Sequence, residues 1–190
     1  MTGFTQDHLG WRPWLAPLAE EELTDAHHEA LADKARAASP YFRLLARDPE
    51  VLHARTKTDA DIFRNADGGL PRAERELAAT ATSRHNGCVY CASVHARFAA
   101  HHSKRPADVR RLLDEGVGAE QADDRWRALI DASVALTATP GQFGAGHIAA
   151  LRAAGLDDLA ISDALHAAAF FNWANRLMLS LGEPTPAKDR

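Results

Sequence analysis

Apolar residues along this chain recur at intervals of three and four, and no window alternates cleanly at a period of two. That spacing lines up side chains on one face of a helix, so the pattern predicts an all-α protein. A first helix is expected from Thr24 to Ala38, stopped at Ser39-Pro40. Ser39 then caps a short helix through Tyr41, Phe42, Leu44 and Leu45, with Pro40 at the first position, where its missing N–H costs nothing. Asp48-Pro49-Glu50 repeats the signal for a helix reaching about Asn65, and Ala66-Asp67-Gly68-Gly69 breaks the pattern. Pro71 opens a helix through Glu76, Leu77, Ala78 and Ala81 that Asn86-Gly87 stops, since glycine takes the left-handed conformation that closes helices.

The next helix begins at Cys88 and runs to about His102, followed by Pro106 to Glu115, closed by Gly116. Asp123 or Asp124 caps a helix with Trp126, Leu129, Ile130, Val134 and Thr137 on one face, broken by Thr139-Pro140-Gly141. Gly144 to Ala154 follows, with Gly155 as its stop. Asp157-Asp158 starts a long last helix carrying Ile161, Leu165, Ala169, Trp173, Leu177 and Leu181 at four-residue steps. There is no convincing repeat and no low-complexity linker. The expected organisation is an N-terminal arm at 1–20, one helical domain at 21–183 and a flexible tail at 184–190. The arm is apolar but poor in helix signals. It packs either on another surface or subunit, or as a strap on its own domain.

Composition narrows the function classes. At 190 residues the chain can bury a real core, and 46% apolar with 25% charged residues is ordinary for a soluble globular protein. A net charge of -4 leaves no basic footprint for nucleic acid. No apolar run approaches the ~20 residues that span a bilayer. Met1 to Leu18 carries Asp7 and Arg12 but no apolar signal core, so no secretory leader is expected. The only two cysteines are three residues apart, whereas a secreted scaffold would spread more of them along the chain. The expectation is a cytoplasmic protein with a local dithiol.

Chemistry concentrates in Cys88-Val-Tyr-Cys91-Ala-Ser-Val-His95. Both thiols lie in the first turn of a helix, where free N–H groups and the macrodipole favour a thiolate. Residues three apart share a helix face with Cβ atoms ~5–6 Å apart, so a slightly loosened turn lets the pair close to a disulfide. His95, four residues past Cys91, lies along the same face and can take a thiol proton. Eleven residues separate Glu76 from Cys88, and Glu76 lies on a helix that the tight Asn86-Gly87 turn can fold back antiparallel; Thr80 and Ser83 share its side. A carboxylate there could pass protons to His95. Taken singly, each piece is ordinary: a lone C-x-x-C can be structural, His95 a helix-surface residue, Glu76 a solvated charge. Their conjunction is what points to redox chemistry. A zinc site fits less well, because His102 would lie ~10 Å beyond His95 along one helix, too far to complete a tetrahedron. No cofactor or metal is expected.

The stretch Glu74 to His95 resembles the AhpD-like, or carboxymuconolactone decarboxylase, family, whose peroxidase pattern is a glutamate, eleven residues, then C-x-x-C-x-x-x-H. Glu76, Cys88, Cys91 and His95 fit it without a gap. The runs Leu151-Arg-Ala-Ala-Gly-Leu-Asp-Asp and Phe170-Phe-Asn-Trp-Ala-Asn-Arg176 look like the branch of peroxidase-related proteins, and the resemblance covers roughly Leu70 to Glu183. It implies a multihelical AhpD-like bundle that assembles as a homo-oligomer, commonly a trimer or hexamer. It also implies roles: Cys91 attacks the peroxide, Cys88 resolves, His95 is the proximal base and Glu76 the relay acid. AhpD proteins proper carry histidine immediately before the second cysteine. Tyr90 stands there in this chain, and a phenol cannot shuttle protons at neutral pH as an imidazole does.

The implied function is a thiol peroxidase that reduces alkyl hydroperoxides and is reset by a dithiol reductant, such as a lipoyl or thioredoxin-like protein. Two other readings share the fold. One is a redox adaptor or sensor that exchanges thiols without consuming peroxide. The other is a decarboxylase-type enzyme using His95 and Glu76 for acid–base work, which would survive loss of both cysteines; that branch generally lacks the paired thiols.

Overall fold

The structure, a computed structural model, describes residues 3–121 and 123–186. Ten α-helices account for most of the described residues: α1 (Asp25–Leu31), α2 (Lys34–Ala37), α3 (Pro40–Leu45), α4 (Pro49–Arg64), α5 (Arg72–His85), α6 (Val89–Ser103), α7 (Pro106–Glu115), α8 (Asp124–Thr137), α9 (Ala145–Ala153) and α10 (Asp158–Leu181). The all-α expectation holds, and most boundaries fall within a residue or two of those read from the sequence.

Helix α5 is the central element. Its whole length from Glu74 to Ser83 is buried, because α6, α8 and α10 pack around it. Alanine makes this possible. Ala78, Ala79 and Ala81 of α5 and Ala92, Ala96 and Ala99 of α6 have no exposed surface, so the two backbones approach closely. One cluster, built on Leu77, Leu112, Leu129, Ile130 and Leu151, joins α5 to α9 and the start of α10. A second lies on the other side, where Tyr41, Phe63, Phe171 and Met178 enclose both cysteines. Charged contacts lock the start of α5. Arg75 donates to the carbonyls of Leu70, Ile62 and Asn65, pinning the 66–69 break. Glu74 receives a two-pronged hydrogen bond from Arg125 of α8, at 2.7 Å on each prong.

Three expectations need correction. The first helix, expected over Thr24 to Ala38, is two pieces: Ala32 takes a left-handed conformation at φ 59°, ending α1, and Asp33 caps α2 through the Ala35 N–H. The fold also contains a small sheet, although no alternating window foretold one. Strand β1 (Leu9–Pro13) pairs antiparallel with β2 (Gly182–Pro186), tying the two chain ends together. The arm is thus a strap on its own domain. Trp11 is buried edge-on against Tyr41, with centroids 5.2 Å apart, and Arg12 pairs with Glu183. Finally, residues 184–186 are strand rather than loose tail, because β1 supplies the partner their backbone needs. Residues 187–190 lie outside the described residues.

Candidate active site

A helix ending and a helix beginning meet at the dithiol. Asn86 ends α5, and Gly87 follows at φ 73°, a conformation that suits glycine. The Gly87 N–H then bonds the Arg84 carbonyl at 3.3 Å and the Cys88 N–H bonds the Ser83 carbonyl at 2.9 Å. This pair of bonds is a Schellman motif, and it satisfies carbonyls that the helix leaves unpaired. It turns the chain so sharply that Cys88 at once becomes the N-cap of α6, with Cys91 in its first turn. The antiparallel packing of α5 and α6 carries Glu76 to the level of His95.

The structure brings Glu76 and His95 together, with Nδ1 of the imidazole 2.6 Å from Oε2 of the carboxylate. Glu76 is fully buried, and its other oxygen accepts from Arg72 Nε at 3.2 Å. An ionised carboxylate only accepts, so this contact assigns a proton to His95 Nδ1 and turns Nε2 away from Glu76. The ring is held by Phe171, edge to face at 4.0 Å between centroids, and by Phe63, tilted against it at 5.2 Å. Of the polar stripe read from the sequence, Thr80 turns its hydroxyl back onto the Glu76 carbonyl at 2.7 Å, and Ser83 serves a different partner, Asn175.

Both thiols are free and buried, at 1% exposure for Cys88 and 5% for Cys91. They face different spaces. Cys91 lines a cavity of about 250 Å³ together with Glu76, His95, Tyr90, Phe63 and Phe171. Cys88 faces a crevice of about 40 Å³ beneath the strap, bounded by Trp11, Met178, Gly182 and Pro184. The strap therefore covers Cys88, although it stands at the very start of its helix. No direct hydrogen bond joins His95 to either thiol among the described residues; His95 and Cys91 meet across the cavity they share.

The two sulfurs polarise one another, and their proton affinities part. The neighbouring Cys91 thiol, opposed by burial and helped by the Cys91 N–H and Asn175, holds Cys88 below the ordinary thiol range. Cys91, with Cys88 beside it and buried, is pushed well up. A first-turn position alone suggested a lowered value for both. Only the N-cap sulfur realises it, because two adjacent buried thiols cannot both hold charge cheaply. Burial also raises the Tyr90 phenol, which therefore stays protonated on the cavity wall.

Asn175 was not foreseen as a site residue, although it lies in a segment already noted for its resemblance. Fully buried on α10, it donates to Ser83 Oγ at 3.0 Å, accepts from Asn86 Nδ2 at 3.1 Å, and lowers the proton affinity of both thiols. Phe63, Phe171, Arg55 and Arg72 were missed as well. Phe171 shares the segment noted for Asn175, and nothing local marks the other three, because the fold delivers them from α4 and α5. His102 lies in the last turn of α6, exposed, and no group of three metal-ligating side chains occurs among the described residues. No helix among those residues is long and apolar enough to cross a membrane.

Comparison with known proteins follows the same lines. The sequence model of the carboxymuconolactone decarboxylase family matches residues 49–129, from the start of α4 into α8. Comparison with curated proteins finds no match. Among solved structures, the chain is similar to an uncharacterized peroxidase-related protein from Ralstonia eutropha JMP134 with the alkylhydroperoxidase AhpD core, at TM-score 0.75 and 23% identity over 89% of this chain and 90% of that one. A second uncharacterized peroxidase-related protein, from Silicibacter sp. TM1040, superposes at TM-score 0.65 and 26% identity, covering 75% and 74% of the two chains. The debrominase Bmp8 shares the fold at TM-score 0.70 and 16% identity, covering 88% and 89%.

Proposed function

We propose that this chain, whose residues 49–129 match the carboxymuconolactone decarboxylase family model and whose fold is that of the AhpD core, is a thiol peroxidase reducing alkyl hydroperoxides through Cys88 and Cys91. The observation that carries the reading is the placement of Cys91 and the Glu76–His95 pair on one cavity, with Cys88 directly behind.

The chemistry runs in two steps. His95 Nε2 takes the Cys91 proton across the cavity, and the imidazolium formed is stabilised by the Glu76 carboxylate. The Cys91 thiolate attacks the terminal peroxide oxygen; the O–O bond breaks, and the leaving alkoxide takes the proton from His95 to give the alcohol. Cys91 is now a sulfenic acid. Cys88, the more readily ionised thiol, attacks that sulfur, and hydroxide leaves with the Cys88 proton as water. The products are one alcohol, one water and the Cys88–Cys91 disulfide. A dithiol partner of lipoyl or thioredoxin-like type returns both thiols by exchange, becoming a disulfide itself.

The separated proton affinities suit these roles. Cys91 holds its proton in the resting state and needs the base that faces it, while Cys88 ionises readily for the resolving step. Tyr90, protonated, cannot relay protons as histidine would, so catalysis depends on the His95–Glu76 pair. The protein is further proposed to act in the cytoplasm as a homo-oligomer, trimer or hexamer, with 21–183 as its catalytic domain. Exposed Trp173 on α10 and Trp14 beside the strap are candidates for the contact.

Peroxide-dependent thiol loss tests the proposal. Reduced protein mixed with an alkyl hydroperoxide should lose both thiols per peroxide consumed and yield one peptide lighter by two hydrogen atoms. A redox adaptor would exchange thiols but leave the peroxide untouched, and a decarboxylase-type enzyme would keep its activity with both cysteines replaced.

A further inference from the structure

The cavity beside Cys91 contains a buried charged group that eases ionisation of Cys91 but whose hydrogen-bonding capacity the dithiol chemistry leaves unused. Arg55 of α4 lines the cavity with its side chain only 7% exposed. Its Nε and Nη1 have no hydrogen-bond partner among the described residues. Asp59 does not supply one. Arg36 takes Asp59 Oδ2 at 2.6 Å, and Arg55 Nη1 remains 3.9 Å from Oδ1, beyond hydrogen-bond reach. Aromatic faces hold the guanidinium, with Phe42 at 5.1 Å and Phe170 at 5.3 Å, but they accept no conventional hydrogen bond.

Arginine keeps its charge when buried, and a buried donor without an acceptor is costly. Such a group in a cavity wall implies an acceptor that arrives from outside. The wall around it has a surplus of positive charge: four guanidiniums, Arg36, Arg55, Arg64 and Arg72, face two carboxylates. Both carboxylates are already engaged, Asp59 by Arg36 at 2.6 Å and Glu76 by Arg72 at 3.2 Å and His95 at 2.6 Å. The rest of the wall is largely aromatic and aliphatic.

We propose that Arg55 forms a carboxylate subsite, and that the substrate is an acidic organic hydroperoxide. Its carboxylate lies on the Arg55 fork, its hydrocarbon against Phe42, Phe63 and Phe171, and its peroxide end toward Cys91 and His95. A planar guanidinium matches a carboxylate prong for prong. Arg36 and Arg72 are already paired and Arg64 is exposed, so Arg55 is the one buried guanidinium left open, which suits a singly charged, amphipathic anion better than a strongly hydrated phosphate. The proposal rests on the cavity being the peroxide site and names the substrate class for it.

The test separates binding from turnover. Octanoate and octanamide, of the same shape and differing in charge, are titrated calorimetrically into the reduced full-length protein. Octanoate is expected to bind about 10- to 100-fold tighter, the range for a hydrogen bond to a charged group. Arg55→Gln should abolish the preference, and Arg55→Lys should retain part of it. If Arg55→Gln fails to fold, the wild-type ratio and the Arg55→Lys protein still decide. Equal binding of the two ligands, or a preference that survives in Arg55→Gln, overturns the subsite. Inorganic phosphate competing as strongly as octanoate overturns the carboxylate assignment. A parallel kinetic arm compares a carboxylated hydroperoxide with its methyl ester. Turnover without preference for the acid refutes the subsite while leaving the peroxidase reading intact; octanoate preference without any turnover does the reverse.

Discussion

Replacing Asn175 with alanine removes a buried amide that does two jobs at once, so its effects should appear in two independent assays. The side chain gives one hydrogen bond to Ser83 Oγ at 3.0 Å and takes one from Asn86 Nδ2 at 3.1 Å, with no exposed surface. Each bond contributes ~1 kcal/mol net, and stranding the buried Ser83 hydroxyl adds a similar cost or more, giving about 2–4 kcal/mol in all. For a chain of this size that is roughly 4–16 °C in melting temperature. Asn86 keeps its bond to Asn172 at 3.2 Å, so it is only half stranded. The second effect is on the thiols. Asn175 lowers the proton affinity of both, so its loss must raise the pH at which the dithiol first ionises, however the charge is shared between them. Calorimetric melting and the ultraviolet absorbance of the thiolate over a pH series measure the two effects. Asn86→Ala is the control, expected to destabilise less and to leave the thiol titration in place. A variant Asn175→Ala that melts within about 2 °C of wild type, with an unshifted thiol titration, would refute the assignment of this residue.

Other consequences are as direct. Glu76→Gln and His95→Ala should each slow peroxide consumption by ~10²–10⁴-fold, without abolishing it, in single-turnover assays; an unchanged rate in either would remove the pair from the mechanism. At the N-cap of α8, Asp123 is subject to burial, which raises its pKa, but the Trp126 N–H and Arg105 outweigh it and hold the carboxyl below its usual range. A depressed pKa means stability that is present above the unfolded value and lost as pH falls through the folded one. Asp123→Ala should therefore cost about 1 kcal/mol near neutral pH, and the gap from wild type should close in strongly acid solution; a gap independent of pH would show that the charge contributes nothing. Light scattering at micromolar concentration should find a trimer or hexamer, and Trp173→Glu should weaken it. A stable wild-type monomer would exclude the assembly proposed.

Where the fold was legible, the signal was local. Pro106 to Glu115 reads as a helix from its proline start and Gly116 stop, and α7 has those bounds. Asn86-Gly87 announces a helix end, and the Schellman turn there sets Cys88 beside α5. Ala32 carries no such signal. Its left-handed backbone is held by the packing of α1 against α4, which no local pattern reveals. The strap was missed for a related reason. Its strands join opposite ends of the chain and include Pro13, Pro184 and Pro186, residues that sequence rules assign to turns. The site divides in the same way. Glu76, Cys88, Cys91 and His95 lie within one contiguous stretch, so helix spacing alone relates them. Asn175, Phe63, Phe171 and Arg55 reach the same place through tertiary packing, and their identities alone suggested core or surface. Trp11, in the arm that the sequence left free to pack on another subunit or on its own domain, is occupied by Tyr41 within its own chain.

The roles of the two cysteines are the centre of this account, and one measurement bears on them most directly: a single-turnover reaction of Cys91→Ser and Cys88→Ser with an alkyl hydroperoxide in the presence of a sulfenic-acid trap. Cys91 faces the cavity that holds His95, while Cys88 is shut behind the strap. The Cys88→Ser protein should therefore consume one equivalent of peroxide and carry the trap on Cys91, and the Cys91→Ser protein should consume none. A Cys91→Ser protein that reacts at the wild-type rate, with the trap on Cys88, would contradict the account.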